Sequence, residues 1–403
     1  MKFSHKEKPL EISLPKGYLY SSVYAGIRKV EKDDLGLIVS IPEANAAAVF
    51  TQNVVAAAPV QLSKQLLKKS RGKVNALVIN AGNANCATRT GWRVAERMVE
   101  AVAKHLTVKP ERVLPSSTGV IGVEMDVRKV EKAMPALVKG LAAERFADVA
   151  RAILTTDLVM KTASTVVKLS GGEVSVAGMT KGSGMIQPNM ATTLGYVMTD
   201  AAVGVADLQA ILRRAIEVSY NRLTVDGDTS TNDTVVLLAN GASGVVARPK
   251  DMDVIEQAIT GVLKNLAAQI ARDGEGAKKL VRILVSGAKT NDEAAQLGRS
   301  IANSPLVKTA IAGSDANWGR ILAAAGYSGV RFDPAAVDIY LQGKRVCRAG
   351  LAAPFQEAAL KKKLDLDEVV IDFRIAGKGK GNAEFWTCDF TEGYIQINGS
   401  YRT

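Results

Sequence analysis

The chain has 403 residues, 47% of them hydrophobic, which is too long for one ordinary compact domain and ample for a large buried core, so two structural lobes are expected. Its 52 Lys and Arg exceed its 40 Asp and Glu, for a net charge of +12. The basic residues fall singly or in short runs such as Lys361, Lys362 and Lys363, and aromatics are only 5%, which argues against a nucleic-acid partner and for a mildly basic surface that draws in anionic metabolites.

The N-terminal MKFSHKEKPLEISLPKGY carries charge throughout and lacks the apolar core of a signal peptide, and nowhere do eighteen apolar residues run together. A cytoplasmic protein with no membrane segment is expected. VNALVIN, from Val74 to Asn80, reads as a buried strand leading into the turn-rich AGNAN, and Trp92 to Leu106 has helical apolar spacing. Cys86, Cys347 and Cys388 are far apart and have no C-x-x-C spacing, which excludes a thiolate metal cluster and fits a reduced compartment. Only His5 and His105 are available as histidines. A Ser-His-Asp or Cys-His mechanism and a histidine-rich metal site are therefore disfavoured.

LPSSTGVIG, Leu114 to Gly122, sets hydroxyls beside a glycine, either as an ordinary turn or as a side-chain donor and an approachable backbone N–H aimed at one point. Leu208, Ile211, Leu212, Ala215 and Ile216 recur at helical intervals behind Asp207 as N-cap, and Ile255 to Ile270 repeats the pattern. TVDGDTSTND, Thr224 to Asp233, lacks the acidic twelfth ligand of a calcium loop and reads as a hydrogen-bonding network. In DGEGAKK, Glu275 is either an exposed residue past a helix end or a carboxylate free to receive an ammonium group. GSDANWGRI reads as a tight interior loop in which Trp318 packs. VRILVSGA, VDIYLQGKRV, VVIDFRI and the final EGYIQING, from Glu392, read as strands.

KGSGMIQPNMATTLGY, Lys181 to Tyr196, suits neither helix nor strand, and places Ala191 directly before two threonines. A threonine in a strained loop can attack the preceding carbonyl, and hydrolysis of the ester then leaves it with a free α-amine. With a pKa of about 7.7 to 8.0, that amine can act as base for the threonine's own hydroxyl without a histidine. Small Ala191, permissive Gly182 and Gly184 and stiff Pro188 suit such a loop. A plain surface loop with Thr192 and Thr193 starting a strand is the alternative.

With KGS before it, GMIQPNMATTLGY resembles the processing site of the glutamate N-acetyltransferase family, also called ornithine acetyltransferase. INAGNAN (from Ile79), PSSTGVIG, LTTD (Leu154 to Asp157), TVDGDTSTNDT, RDGEGA, GSDANWGRI and the terminal YIQINGSYRT are similar to family blocks, in family order and over essentially the whole chain. The resemblance implies an α/β fold, an N-terminal-nucleophile-like sandwich of sheets and helices with two packed lobes. It implies cleavage into an α chain (1–191) and a β chain (192–403, with a C-terminal lobe from about 280), assembled as an α2β2 heterotetramer. The implied reaction, in arginine biosynthesis, moves acetyl from N-acetylornithine to glutamate, and some members also use acetyl-CoA.

By the same resemblance, Thr192 is the nucleophile, Thr118 and Gly119 form the oxyanion hole, and Thr155, Lys181, Thr192, Glu275, Asn398 and Thr403 contact substrate. A pocket with one Lys, one Glu and several neutral donors suits substrates that bring an α-carboxylate and an ammonium. No metal and no prosthetic group are expected. Residues beside Cys86, and Leu158, Thr193 and Lys278, depart from the family pattern, which bears on substrate preference and processing rate. A self-processing aminopeptidase of the same fold and a non-enzymatic amino-acid-binding regulator are the competing readings.

Overall fold

The computed structural model describes residues 12–187 and 193–400. Its first lobe contains β1 (Tyr18–Val23), β2 (Leu35–Phe50), α1 (Ala58–Lys69), β3 (Lys73–Asn83), α2 (Gly91–Leu106), β4 (Val113–Val120), α3 (Arg128–Lys139) and α4 (Phe146–Ala152). It continues with β5 (Lys161–Leu169), β6 (Gly172–Lys181), β7 (Leu194–Thr199), α5 (Val205–Glu217), β8 (Thr234–Ala239) and α6 (Met252–Arg272). The apolar period located β3, α2, α5 and α6 correctly. Asp207, however, is not the cap of α5: Gly204 holds that position and Asp207 lies in the first turn, where its charge still meets the positive end of the helix. The PSSTG stretch is not a turn but lies within β4.

These strands pair in the order β4-β3-β2-β8-β7-β6-β5, with β1 on β2. The long β2 pairs with β3 from Leu35 to Asn45 and with β8 from Asn45 to Phe50. Thr118 on β4 and Lys181 on β6 are five strand steps apart in this order, which is about 24 Å across a flat sheet. Their side chains nevertheless meet, with Lys181 Nζ donating to Thr118 Oγ1 at 3.3 Å. The sheet therefore folds over along β2 into two facing layers.

Side-chain alternation agrees. On β7 and β8, Tyr196, Met198, Val236 and Leu238 share a core with Leu77 and Ile79 of β3, while Val197, Val235 and Leu237 turn to the core of α5 and α6. Both faces of this parallel pair are covered, and the two strands are buried throughout. That is why LGYVMT and TVVLLA are nearly continuous apolar runs.

The second lobe comprises β9 (Leu280–Ala288), α7 (Asn291–Asn303), α8 (Pro305–Ala312), α9 (Trp318–Gly326), β10 (Val337–Leu341), β11 (Lys344–Arg348) and β12 (Leu351–Ala352), then α10 (Glu357–Leu364), β13 (Glu368–Ile375), β14 (Gly381–Cys388) and α11 (Glu392–Ser400). Its sheet runs β12-β11-β10-β13-β9-β14. Helix α7 covers β9 and β14, and α6 lies between that sheet and strands β5 and β6 of the first. The two-lobed α/β sandwich expected from the resemblance is thus the architecture seen.

EGYIQING is a correction: it forms helix α11, not a strand. Its alternating isoleucines do not mark a buried face, since Ile395 is 67% exposed. Polar anchors four residues apart, Tyr394 and Asn398, hold the helix instead. No helix among the described residues is long and apolar enough to cross a membrane. The three cysteines are buried and free of disulfides. His105 is exposed, its Nδ1 2.8 Å from Ala101 O.

Candidate active site

Thr118, Gly119, Thr155, Lys181, Glu275 and Asn398 line one cavity of about 220 Å³, together with Thr193, Asp226 and Tyr394. Ala191, Thr192 and Thr403, also named from the sequence, lie outside the described residues, as does His5. The six described residues come from widely separated segments, and local chemistry explains how each is held.

Strand β4 delivers Thr118 and Gly119 along a parallel pairing with β3 that ends at Gly82 and Asn83. Gly119 has φ +132°, and a Cβ there would lie 2.4 Å from Gly82 C and 2.5 Å from Asn83 N. Only glycine permits that approach. Beneath it, Asn80 Nδ2 donates to Ser117 Oγ at 2.7 Å, and Asn232 Nδ2 donates to Ser117 O at 2.9 Å and Ala84 O at 2.6 Å. The strand end is therefore clamped from two sides, with the Thr118 hydroxyl beside Lys181.

Lys181 closes β6 and is only 9% exposed. Burial pushes its ammonium below the ordinary lysine value, and Lys161 adds to this, while Asp157, Asp233 and Glu275 oppose it. Under Lys181 lies a buried ion triad, in which Lys161 Nζ pairs with Asp157 Oδ1 at 2.7 Å and with Asp273 Oδ2. Burial alone would raise the Asp157 carboxyl, but Lys161 and Lys181, with hydrogen bonds from Lys161 and from Gly182 N, hold it well below the usual range. Burial leaves Asp273 above that range despite Lys161. Asp157 Oδ1 accepts from Gly182 N at 2.6 Å and Oδ2 from Thr155 N at 3.0 Å. One carboxylate thus positions both the end of β6 and the Thr155 loop.

Between Ser183 and Gln187 the chain after β6 is held by several hydrogen bonds. Ser183 Oγ donates to Asp273 O at 2.6 Å, and Asp226 accepts from Met185 N at 2.7 Å and Ile186 N at 2.8 Å. Thr229 Oγ1 donates to Gln187 O at 3.0 Å and Asn303 Nδ2 to Gln187 Oε1 at 2.5 Å. On the far side, Thr193 is buried, its Oγ1 donating to Lys181 O, and Thr234 N donates to Thr193 O at 2.8 Å. Stretch 188–192 is thus flanked by two fixed residues. The TVDGDTSTND cluster supplies much of this fixing, as the hydrogen-bonding network the sequence suggested. No group of potential metal ligands is present among the described residues.

Glu275 is 7% exposed rather than a solvated helix end. A Cβ on Gly184 would lie 2.3 Å from Glu275 Oε2, so glycine lets the carboxylate approach the loop backbone. Asn398 Nδ2 donates to Glu275 Oε2 at 2.8 Å, and Tyr394 OH donates to Asp226 Oδ2 at 3.3 Å. Burial, then the Asp226 charge, pushes the Tyr394 hydroxyl up. Sequence reasoning missed Tyr394 because the terminal block read as a strand. It also missed Asp157, Lys161 and Asp273 as a unit, although Asp157 belongs to the LTTD block.

The cavity therefore offers a cation, a carboxylate and neutral hydroxyl and amide donors around a point beside Thr193. Comparison with known proteins adds family context. The model of the ArgJ family matches residues 19–403. The arginine biosynthesis bifunctional protein ArgJ of Chlorobaculum tepidum is 45% identical over 391 residues, 96% of this chain and 96% of that protein. The ArgJ of Bacillus subtilis is 42% identical over 397 residues, covering 98% of this chain and 97% of that one. Among solved structures, ArgJ from Bacillus halodurans is 38% identical, with a TM-score of 0.49, over 51% of this chain and 98% of that chain. An ornithine acetyltransferase from Mycobacterium tuberculosis, complexed with ornithine, is 32% identical, with a TM-score of 0.40, over 44% of this chain and 94% of that chain.

Proposed function

The chain belongs to the ArgJ family, and on that premise we propose that it is a self-cleaving acetyltransferase that moves acetyl from N-acetylornithine to glutamate through an ester on Thr192. The observation that carries the reading is the meeting of Thr118, Gly119, Thr155, Lys181, Glu275 and Asn398 in one cavity with Thr193, the residue bonded to Thr192.

Processing starts when Thr192 Oγ attacks the Ala191 carbonyl carbon. The Ala191–Thr192 C–N bond breaks as the ester forms, and water hydrolyses the ester, leaving a carboxylate on Ala191 and a free amine on Thr192. In transfer, that amine takes the Oγ proton while Oγ attacks the acetyl carbonyl of N-acetylornithine, and the proton passes to the departing ornithine nitrogen. The glutamate amine then attacks the acetyl ester, giving N-acetylglutamate and restoring the hydroxyl. Thr118 and Gly119 stabilise the oxyanion in each tetrahedral intermediate.

Lys181 takes the substrate α-carboxylate and Glu275 the ornithine ammonium, with Thr155, Asn398 and Thr403 as further contacts. The relatives' designation as bifunctional favours acetyl-CoA as a second donor. The reaction as written draws on no metal or prosthetic group. Residues 1–191 and 192–403 would be the α and β chains of an α2β2 heterotetramer.

Intact mass spectrometry with N-terminal sequencing tests the first half, and an N-acetylornithine-to-glutamate assay the second. Two chains, one starting at Thr192, and acetyl transfer that is absent from Thr192→Ala are expected. A single intact chain that transfers acetyl would remove Thr192 from the mechanism.

A further inference from the structure

A second polar cavity, of about 600 Å³, opens where the two lobes meet, bordered by Glu217, Arg222, Asp292, Arg299, Ser300 and Asn303. Arg222 ends the one-turn helix Tyr220–Arg222 after α5, and Arg299 stands on α7. Arg222 is 7% exposed. Its Nε donates to Glu217 O at 2.7 Å, while its Nη1 is buried without a hydrogen-bond partner among the described residues. Arg299 Nη2 donates to Asn221 O at 3.3 Å, and its Nε is likewise buried without a partner among the described residues.

Two guanidinium groups that repel one another on the wall of one cavity are costly to hold together unless an anion offsets both. Glu217 and Asp292 act on Arg222 from the cavity wall through their charge. Glu217 Oε1 already accepts from Asn221 Nδ2 at 2.8 Å. Planar guanidinium forks match oxyanions, and the nearby carboxylates keep the local charge low, which suits one small anion and not a polyanion. We infer that the cleft between Arg222 and Arg299 binds a single small oxyanion, a carboxylate or a phosphate. This site is separate from the Lys181 cavity and does not depend on the reaction assigned there.

The test is thermal unfolding of the full chain titrated with inorganic phosphate and, separately, with succinate, at constant ionic strength balanced by chloride. A saturable rise in Tm is expected with at least one of them, and which one saturates identifies the source. Arg299→Gln should weaken that response about tenfold or more, and Arg299→Lys should retain part of it. No saturable rise, or the same rise in wild type and Arg299→Gln, would overturn the inference. Wild-type crystals soaked in selenate give a second readout that needs no variant: an anomalous peak between Arg222 and Arg299 supports the site, and a soaked crystal without one refutes it.

Discussion

Asn398 Nδ2 donates to Glu275 Oε2 across 2.8 Å, joining α11 to the loop after α6 between residues 123 positions apart. Asn398 brings no charge to this buried side chain, so a substrate ammonium group can pair with it. Glu275→Gln is therefore expected to raise KM for N-acetylornithine roughly ten- to a hundredfold, the cost of one charge-assisted bond. Asn398→Ala should have a smaller effect. Steady-state kinetics on both variants checks this, and equal KM values for Glu275→Gln and wild type would release Glu275 from substrate binding.

Thr118 stands at the end of β4 with its hydroxyl beside Lys181 Nζ. If it stabilises the oxyanion, Thr118→Val should lower kcat by about 10²–10³ and slow self-cleavage as well, with Thr118→Ser recovering most of both. A loss confined to KM would instead mark Thr118 as a ground-state contact.

Burial draws the Lys181 ammonium below the ordinary lysine value, which is about 10.4. The charged form that would hold an α-carboxylate exists below that lowered pKa and disappears as pH rises through it. The kcat/KM profile for glutamate should therefore carry an alkaline limb below the ordinary lysine range, and Lys181→Arg, charged throughout, should move it upward. An alkaline limb in the same place for both proteins would assign it to another group.

Lys161 answers two buried carboxylates at once. Removing it in Lys161→Met takes away the cation that pairs with both Asp157 and Asp273 and leaves them with backbone N–H bonds and the charge of Lys181, at an expected cost of about 3–5 kcal/mol near neutral pH. The sign follows from the depressed Asp157 carboxyl: its stabilisation is complete above the unfolded value of about 3.9 and is lost as pH falls toward the folded one. In the variant both carboxyls hold protons more tightly when folded. The gap between the two proteins should therefore shrink toward about pH 3, which urea unfolding at several pH values would reveal. A gap independent of pH would mean that Lys161 acts through packing alone.

Elements with one apolar period were legible in the sequence, as Val94, Met98 and Val102 on α2 or the runs of β9 and β13 show. Two were not, for opposite reasons. β4 carries Pro115, two serines and Gly119, a composition of turns, yet it is a strand because β3 pairs with it and Asn80 and Asn232 satisfy its end. The terminal block alternates like a strand, yet Tyr394 and Asn398 find partners on one helical face. The KGSGMIQPNMATT block, the Thr118–Gly119 pair and Glu275 could be picked out from motifs as candidates. The Asp157–Lys161–Asp273 triad could not, since Lys161 and Asp273 are 112 positions apart and nothing local marks them as a pair.

In the larger sheet, β8 and β7 are inserted between β2 and β6. A break after Ala191 would leave β2 and β6 on one piece and β7 and β8 on the other. The second piece is then a wedge gripped on both edges, by the β2–β8 ladder and the β6–β7 ladder. Cutting the backbone would free a terminus without freeing a fragment: neither piece can leave until two ladders and the cores on both faces of β7 and β8 have come apart together.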